Sequence, residues 1–166
     1  MAVVHIEATR GAAALADPAL PSSLADIAAV TQASRNAAAV QIDFDARASQ
    51  REFYRRMLAE LRRKLPPEVP ISITALASWC AFDHWISSLP VDEAVPMFFR
   101  MGDEPRSSSY DQHGYPLREP LCEGRQGIST DEPGWLTRDA VRIYVFHPHR
   151  WNKAAIEEAE VLLARE

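Results

Sequence analysis

The sequence predicts an α/β protein built as a partial or truncated (β/α) barrel with a mostly parallel sheet, on three observations. Short runs of β-branched residues alternate with stretches of helical periodicity, which is the pattern of βαβ units. In those runs the polar residues keep one parity: His5 and Glu7, then Gln41, Asp43 and Asp45, then Ser72 and Thr74, opposite Val4/Ile6, Val40/Ile42/Phe44 and Ile71/Ile73. A doubly wound sheet carries helices on both faces and needs apolar residues on both; a curved sheet with helices outside needs them on one and leaves a polar mouth on the other. The length of 166 residues holds about five or six βα units, short of the roughly 250 residues of a full eight-unit barrel. A single β/α domain over 1–166 is expected, with a long loop excursion at about 102–140.

The elements follow in order. VVHIEA, residues 3–8, reads as a strand ended by a Gly/Ala/Pro/Asp loop. PSSLADIAAVTQASRN, 21–36, is a helix with Ser22 or Ser23 as N-cap, an apolar side of Leu24, Ile27, Ala28 and Val30, and an end near Asn36. AAVQIDFDA, 38–46, is the second strand. The clearest helix is QREFYRRMLAELRRKL, 50–65, with a stripe of Phe53, Met57, Leu58, Leu61 and Leu65, stopped by Pro66 and Pro67. VPISITALASW, 69–79, AFDHWISSL, 81–89, and AVPMFFRMG, 94–102, repeat strand, short helix and strand. Within the Ser/Pro/Gly/Asp-rich excursion, QGIST, 126–130, suggests a short strand and PGWLTRD, 133–139, a turn or short helix. RIYVFHP, 142–148, is the last strand. NKAAIEEAEVLLARE is the last helix, capped by Asn152, with Ala155, Ile156, Ala159, Val161 and Leu162 as its stripe.

Composition narrows the function classes. With 47% hydrophobic and 25% charged residues the chain is ordinary globular material. A net charge of −5 argues against nucleic acid, because neutralising phosphates needs a basic surface. The basic residues of YRRMLAELRRKL, 54–65, are spaced as on the solvated face of an amphipathic helix. No run approaches about 18 apolar residues, so no membrane span is expected. The start MAVVHIEATRG lacks the basic and apolar regions of a signal peptide, which as written keeps the chain in the cytoplasm. A strand so close to Met1 is also how a piece of a longer protein would begin. Cys80 and Cys122 are too few for a zinc site and form no CxxC pair; they are free thiols or one disulfide. No dinucleotide, P-loop, α/β-hydrolase or zincin motif occurs, and no cofactor is implied.

The residues that could carry chemistry gather at strand ends. Asp43 and Asp45, two apart on a strand, share a face with their Cβ atoms roughly 7 Å apart. Carboxyl ends of strands form the active face of β/α architectures. Two crowded carboxylates there would separate into an acid and a base or nucleophile, as glycosidic cleavage requires; alternatively they pair with Arg47, Arg100 or a backbone amide. Glu7, at the matching end of the first strand, is an opposing carboxylate or a plain surface charge. Trp79 offers a ring for a sugar or a core indole, and Arg100 a cationic partner for the aspartates. In GISTDEPGW, Asp131, Glu132 and Trp135 set acids beside an aromatic in a long loop, for ligand contact or for a capped turn. His147 and His149 are two residues apart near Trp151, but a metal would need a third ligand. A divalent ion on Asp43, Asp45 and Glu7 is a weaker alternative that oxygen ligands permit.

Taken together, the segments IDFDA, SITALASWC, VPMFFRMG and GISTDEPGW resemble the bacterial family called domain of unknown function 3142, over about residues 38–150. The family is similar to barrel-type glycoside hydrolases. The resemblance implies a TIM-barrel-like fold and a carbohydrate ligand, with Asp43, Asp45, Trp79, Arg100, Asp131 and Glu132 as the matching motif positions. The expectation is a glycoside-hydrolase-like domain, or a non-catalytic carbohydrate-binding or interaction module of the same fold. An open sheet edge would also favour self-association.

Overall fold

The computed structural model describes residues 1–8, 16–83, 85–99, 117–132 and 140–164. Six strands and three helices are assigned among them: β1 (Ala2–His5), α1 (Leu20–Ser34), β2 (Val40–Asp43), α2 (Arg51–Lys64), β3 (Ile71–Leu76), β4 (Glu93–Met97), β5 (Arg125–Ser129), β6 (Arg142–Phe146) and α3 (Lys153–Leu163). Strand neighbours follow chain order, β1-β2-β3-β4-β5-β6. A doubly wound sheet reverses its direction at a switch point, so this constant advance is the winding of a (β/α) barrel. The chain divides into two compact units, Met1–Ala75 with Trp85–Ala94, and Leu76–His84 with Val95–Glu166.

In the first unit β1, β2 and β3 pair in parallel, with Val3 opposite Gln41, His5 opposite Asp43 and Gln41 opposite Ser72. The parity read from sequence is therefore real. Val40, Ile42, Ile71 and Ile73 are fully buried, and α2 contributes Phe53, Tyr54, Met57, Leu58 and Leu61 to the same core. Each such side chain contributes on the order of 1.5–3 kcal/mol by leaving water. Phe44 locks the exit of β2 to α2 through edge-on contacts with Tyr54, at 5.1 Å between ring centres, and Phe53, at 6.3 Å. On the opposite parity Gln41, only 2% exposed, donates to Ser72 Oγ at 3.0 Å. At Gln41 and Ser72 that face is polar yet closed to water.

Helix α1 packs on α2, β1 and β2, by only part of the expected stripe. Pro21, Ala25 and Ala28 are buried, whereas Ile27 and Val30 are exposed. Small residues let two helices approach closely, and that outweighs the larger side chains here. The N-cap is Ala19 rather than a serine; Ser23 instead returns its hydroxyl to the Ala19 carbonyl. Asn36 takes a left-handed φ of 45° just past the helix end, a conformation that asparagine tolerates. Helix α2 stops where Leu65 turns extended before Pro66.

In the second unit β4, β5 and β6 pair in parallel, with Met97 opposite Gly127 and Gly127 opposite Tyr144. A Cβ on Gly127 would stand 3.2 Å from both the Pro96 carbonyl oxygen and the Phe146 ring, so glycine sets the spacing here. The helix expected over 81–89 shrinks to one wide helical turn at Trp79–Asp83, too short a segment to sustain a nucleated helix. That turn is tied down: Cys80 is disulfide-bonded to Cys122, and its carbonyl accepts the N–H groups of Arg118 and Glu119. The two cysteines, left open by the sequence, are thus one bridge. Helix α3 is capped by Asn152, whose side chain accepts from Ala155 N–H at 3.0 Å. Only Ala155 and Ala159 of its expected stripe are buried; Ile156 and Val161 are exposed. PGWLTRD, 133–139, lies outside the described residues. No described helix is long and apolar enough to cross a membrane.

Candidate functional site

Asp43 is the last residue of β2, and the register puts His5 directly opposite it at the end of β1. The strands are stitched at this point by the Ile6 N–H, which donates to the Asp43 carbonyl at 2.8 Å. The carboxylate is held from two sides. Thr74 Oγ1 donates to Oδ1 at 2.9 Å, and His5 Nδ1 lies 2.9 Å from Oδ2. The Asp43 side chain is 22% exposed and that of His5 66% exposed, so the group is fixed on its strand yet reachable from solvent. Among the described residues no arginine pairs with Asp43.

Beyond Asp43 the chain leaves the strand in a tight bend, closed by Ala46 N–H on the Phe44 carbonyl at 2.8 Å. Phe44 is driven inward and Asp45 outward, where it is exposed. The Arg47 N–H then donates to Gln50 Oε1 at 2.8 Å and opens the helical segment. The second aspartate therefore sits in the β2–α2 loop, not in the strand. The two acids differ in exposure: Asp43 is half-buried and Asp45 is exposed.

Tyr54, in the first turn of α2, adds a third ionisable group. It is fully buried and its hydroxyl has no hydrogen-bond partner among the described residues. Burial first, and then the charges of Asp43 and Asp45, hold its phenol well above the usual tyrosine range. It is a neutral group facing the field of both aspartates. Sequence reasoning passed over Tyr54, although Tyr54, Met57, Leu58 and Leu61 fall at i, i+3, i+4 and i+7, the spacing that marks a core face.

The remaining expected residues are placed as follows. Glu7 is exposed, two residues past the end of β1. Trp79 is 3% exposed, so its ring faces are covered by its own protein. Arg100 and Trp135 lie outside the described residues. In the second unit Asp131 is exposed just past β5 and accepts the Ser129 hydroxyl, and Glu132 follows it, half-buried. Also in that unit, Thr130 Oγ1 is hydrogen-bonded to His147 Nδ1 at 2.6 Å.

Comparison with known proteins adds two findings. The profile of a family described as "Domain of unknown function (DUF3142)" matches residues 1–114. The match reaches nearer the start than the resemblance had suggested, and it stops before GISTDEPGW. No curated protein matches the chain. Among solved structures, a GH18 chitinase from Pseudoalteromonas aurantia aligns with a TM-score of 0.61 at 14% identity, over 97% of this chain and 75% of that one. At that identity the likeness concerns the fold, which is that of a partial, TIM-barrel-like (β/α) barrel.

Proposed function

The chain belongs to the DUF3142 family, and from that membership we propose that it is a glycoside-hydrolase-like domain that acts on or binds carbohydrate through the carboxylates at the end of β2. The observation that carries this reading is a pair of acids two residues apart at the end of β2, with Asp43 half-buried against Thr74 and His5 and Asp45 exposed. Most glycoside hydrolases use two carboxyl groups with different duties: one that stabilises positive charge or attacks, and one that exchanges a proton with the leaving group. Asp43 and Asp45 are the candidate pair for these duties, with Glu7, two residues past the end of the neighbouring strand, as a further acid. The chitinase likeness in fold supports β-linked amino-sugar polymers as the first substrates to try.

The test is hydrolysis of chitin oligosaccharides and a panel of plant and bacterial polysaccharides by the wild type, Asp43→Asn and Asp45→Asn. Turnover by the wild type that falls at least a hundredfold in either variant supports the assignment. Turnover that survives both substitutions ends it. Binding without turnover, unchanged in both variants, identifies a non-catalytic carbohydrate-binding module of the same fold.

A further inference from the structure

The carboxyl end of β6 carries a second cluster that the reading above does not use. His147 follows the last residue of the strand, and its ring lies 5.4 Å from the Trp151 ring at 41° and 5.9 Å from the His149 ring at 78°. Thr130, buried just past the end of β5, fixes His147 through the Oγ1 to Nδ1 hydrogen bond of 2.6 Å. A bond at Nδ1 sets the orientation of the imidazole and leaves Nε2 as its second polar position. Trp151 is 48% exposed and His149 is exposed. A half-exposed indole thus stands beside two imidazoles, one of them braced by a buried threonine.

We propose that Thr130, His147, His149 and Trp151 form a ring-binding site for a neutral sugar, with Trp151 as the stacking platform and the imidazoles as hydrogen-bonding groups for its hydroxyls. The chemistry of these side chains selects this ligand class. A pyranose has an apolar C–H face that suits an indole and a polar rim that suits imidazole nitrogens, each of which donates or accepts according to its tautomer. A wholly apolar ligand would leave the imidazoles unsatisfied. A metal is disfavoured because the described residues hold no group of three histidine, cysteine or acidic side chains able to take one. The position agrees with the general rule that β/α folds bind ligands at the carboxyl ends of their strands. The choice of carbohydrate rests on the reading proposed for the β2 carboxylates, but the site stands on different residues.

The experiment follows the indole N–H resonance of Trp151 in a ¹⁵N-labelled full chain, assigned by its loss in Trp151→Phe, during titration with oligosaccharides of N-acetylglucosamine, glucose and mannose. Saturable movement of that signal is expected with at least one series, together with binding weakened by about tenfold in Trp151→Ala. Thr130→Val, which removes the brace on His147, is expected to weaken binding severalfold without a change in Tm beyond a few degrees. Asp43→Asn should leave the Trp151 response intact, which separates this site from the one at β2. Either of two results overturns the proposal: no sugar in the panel moves the Trp151 signal, or a sugar binds with equal affinity to wild type and Trp151→Ala. In the second case the β2 proposal survives; hydrolysis lost in Asp43→Asn with Trp151 unmoved would assign all carbohydrate chemistry to β2.

Discussion

Thr74 donates its hydroxyl to Asp43 across the β2–β3 pair, at 2.9 Å and on the polar face of the sheet. It donates to a half-buried carboxylate, and its removal leaves that acceptor short of a partner. Thr74→Val keeps the shape of the side chain and deletes the donor. It is expected to destabilise the fold by about 1–3 kcal/mol, read as a lower urea midpoint with an unchanged m-value, while Thr74→Ser retains most of the stability. Equal midpoints for Val and wild type would mean that the bond contributes nothing.

Tyr54 predicts a particular response to alkali. Its phenol is raised in the folded state by burial and by the charges of Asp43 and Asp45, whereas in the unfolded chain it titrates near 10. Above that pH the unfolded state gives up a proton that the folded state keeps, so stability is fully present below about pH 10 and falls as pH rises further. Urea unfolding between pH 8 and 11.5 should show this fall, and Tyr54→Phe should flatten part of it. Parallel curves for the two proteins would contradict the shift.

The Cys80–Cys122 bridge closes a separation of 42 residues. Restricting the unfolded chain over such a span stabilises the native state by about 4 kcal/mol in the chain-entropy account. The paired Cys80→Ser, Cys122→Ser variant, and wild type under dithiothreitol, should both melt well below the oxidised protein. Equal melting of oxidised and reduced protein would show that the bridge contributes nothing to stability.

Gly127 is predicted to be intolerant of a methyl group. The 3.2 Å approaches to the Pro96 carbonyl and the Phe146 ring are tighter than a Cβ normally accepts, and the carbonyl belongs to the backbone and yields little. Gly127→Ala should cost about 1–3 kcal/mol by overpacking, measured by thermal unfolding. A Tm equal to wild type would show that β4 and β5 can move apart freely.

Much of the first unit was legible in the sequence because strand parity has a period of two with no drift. Gln41, Asp43, Ser72 and Thr74 fall on one face as that period demands, and α2 declares itself by a wide apolar stripe. Strand ends were less legible. β-branched runs outlast their pairing partners, so β1 ends at His5 and β2 at Asp43, and Glu7 and Asp45 pass into loops. In α1 and α3 hydropathy misled, because alanines rather than Ile27, Val30, Ile156 or Val161 take the buried positions. The His5 contact with Asp43 needed the inter-strand register, and the disulfide needed two segments brought together, which no local pattern encodes.

The buried pair Gln41–Ser72 and the Asp43–Thr74 pair also work as a ruler. If β2 slipped by one residue against its neighbours, every side chain on it would change faces: glutamine and aspartate would be thrust among the isoleucines and the helix core, and Val40 and Ile42 would meet hydroxyls. An all-apolar strand could tolerate such a shift as a near-degenerate alternative. The polar face thus supplies a penalty for misalignment, and the same two rungs give the strand a single seat.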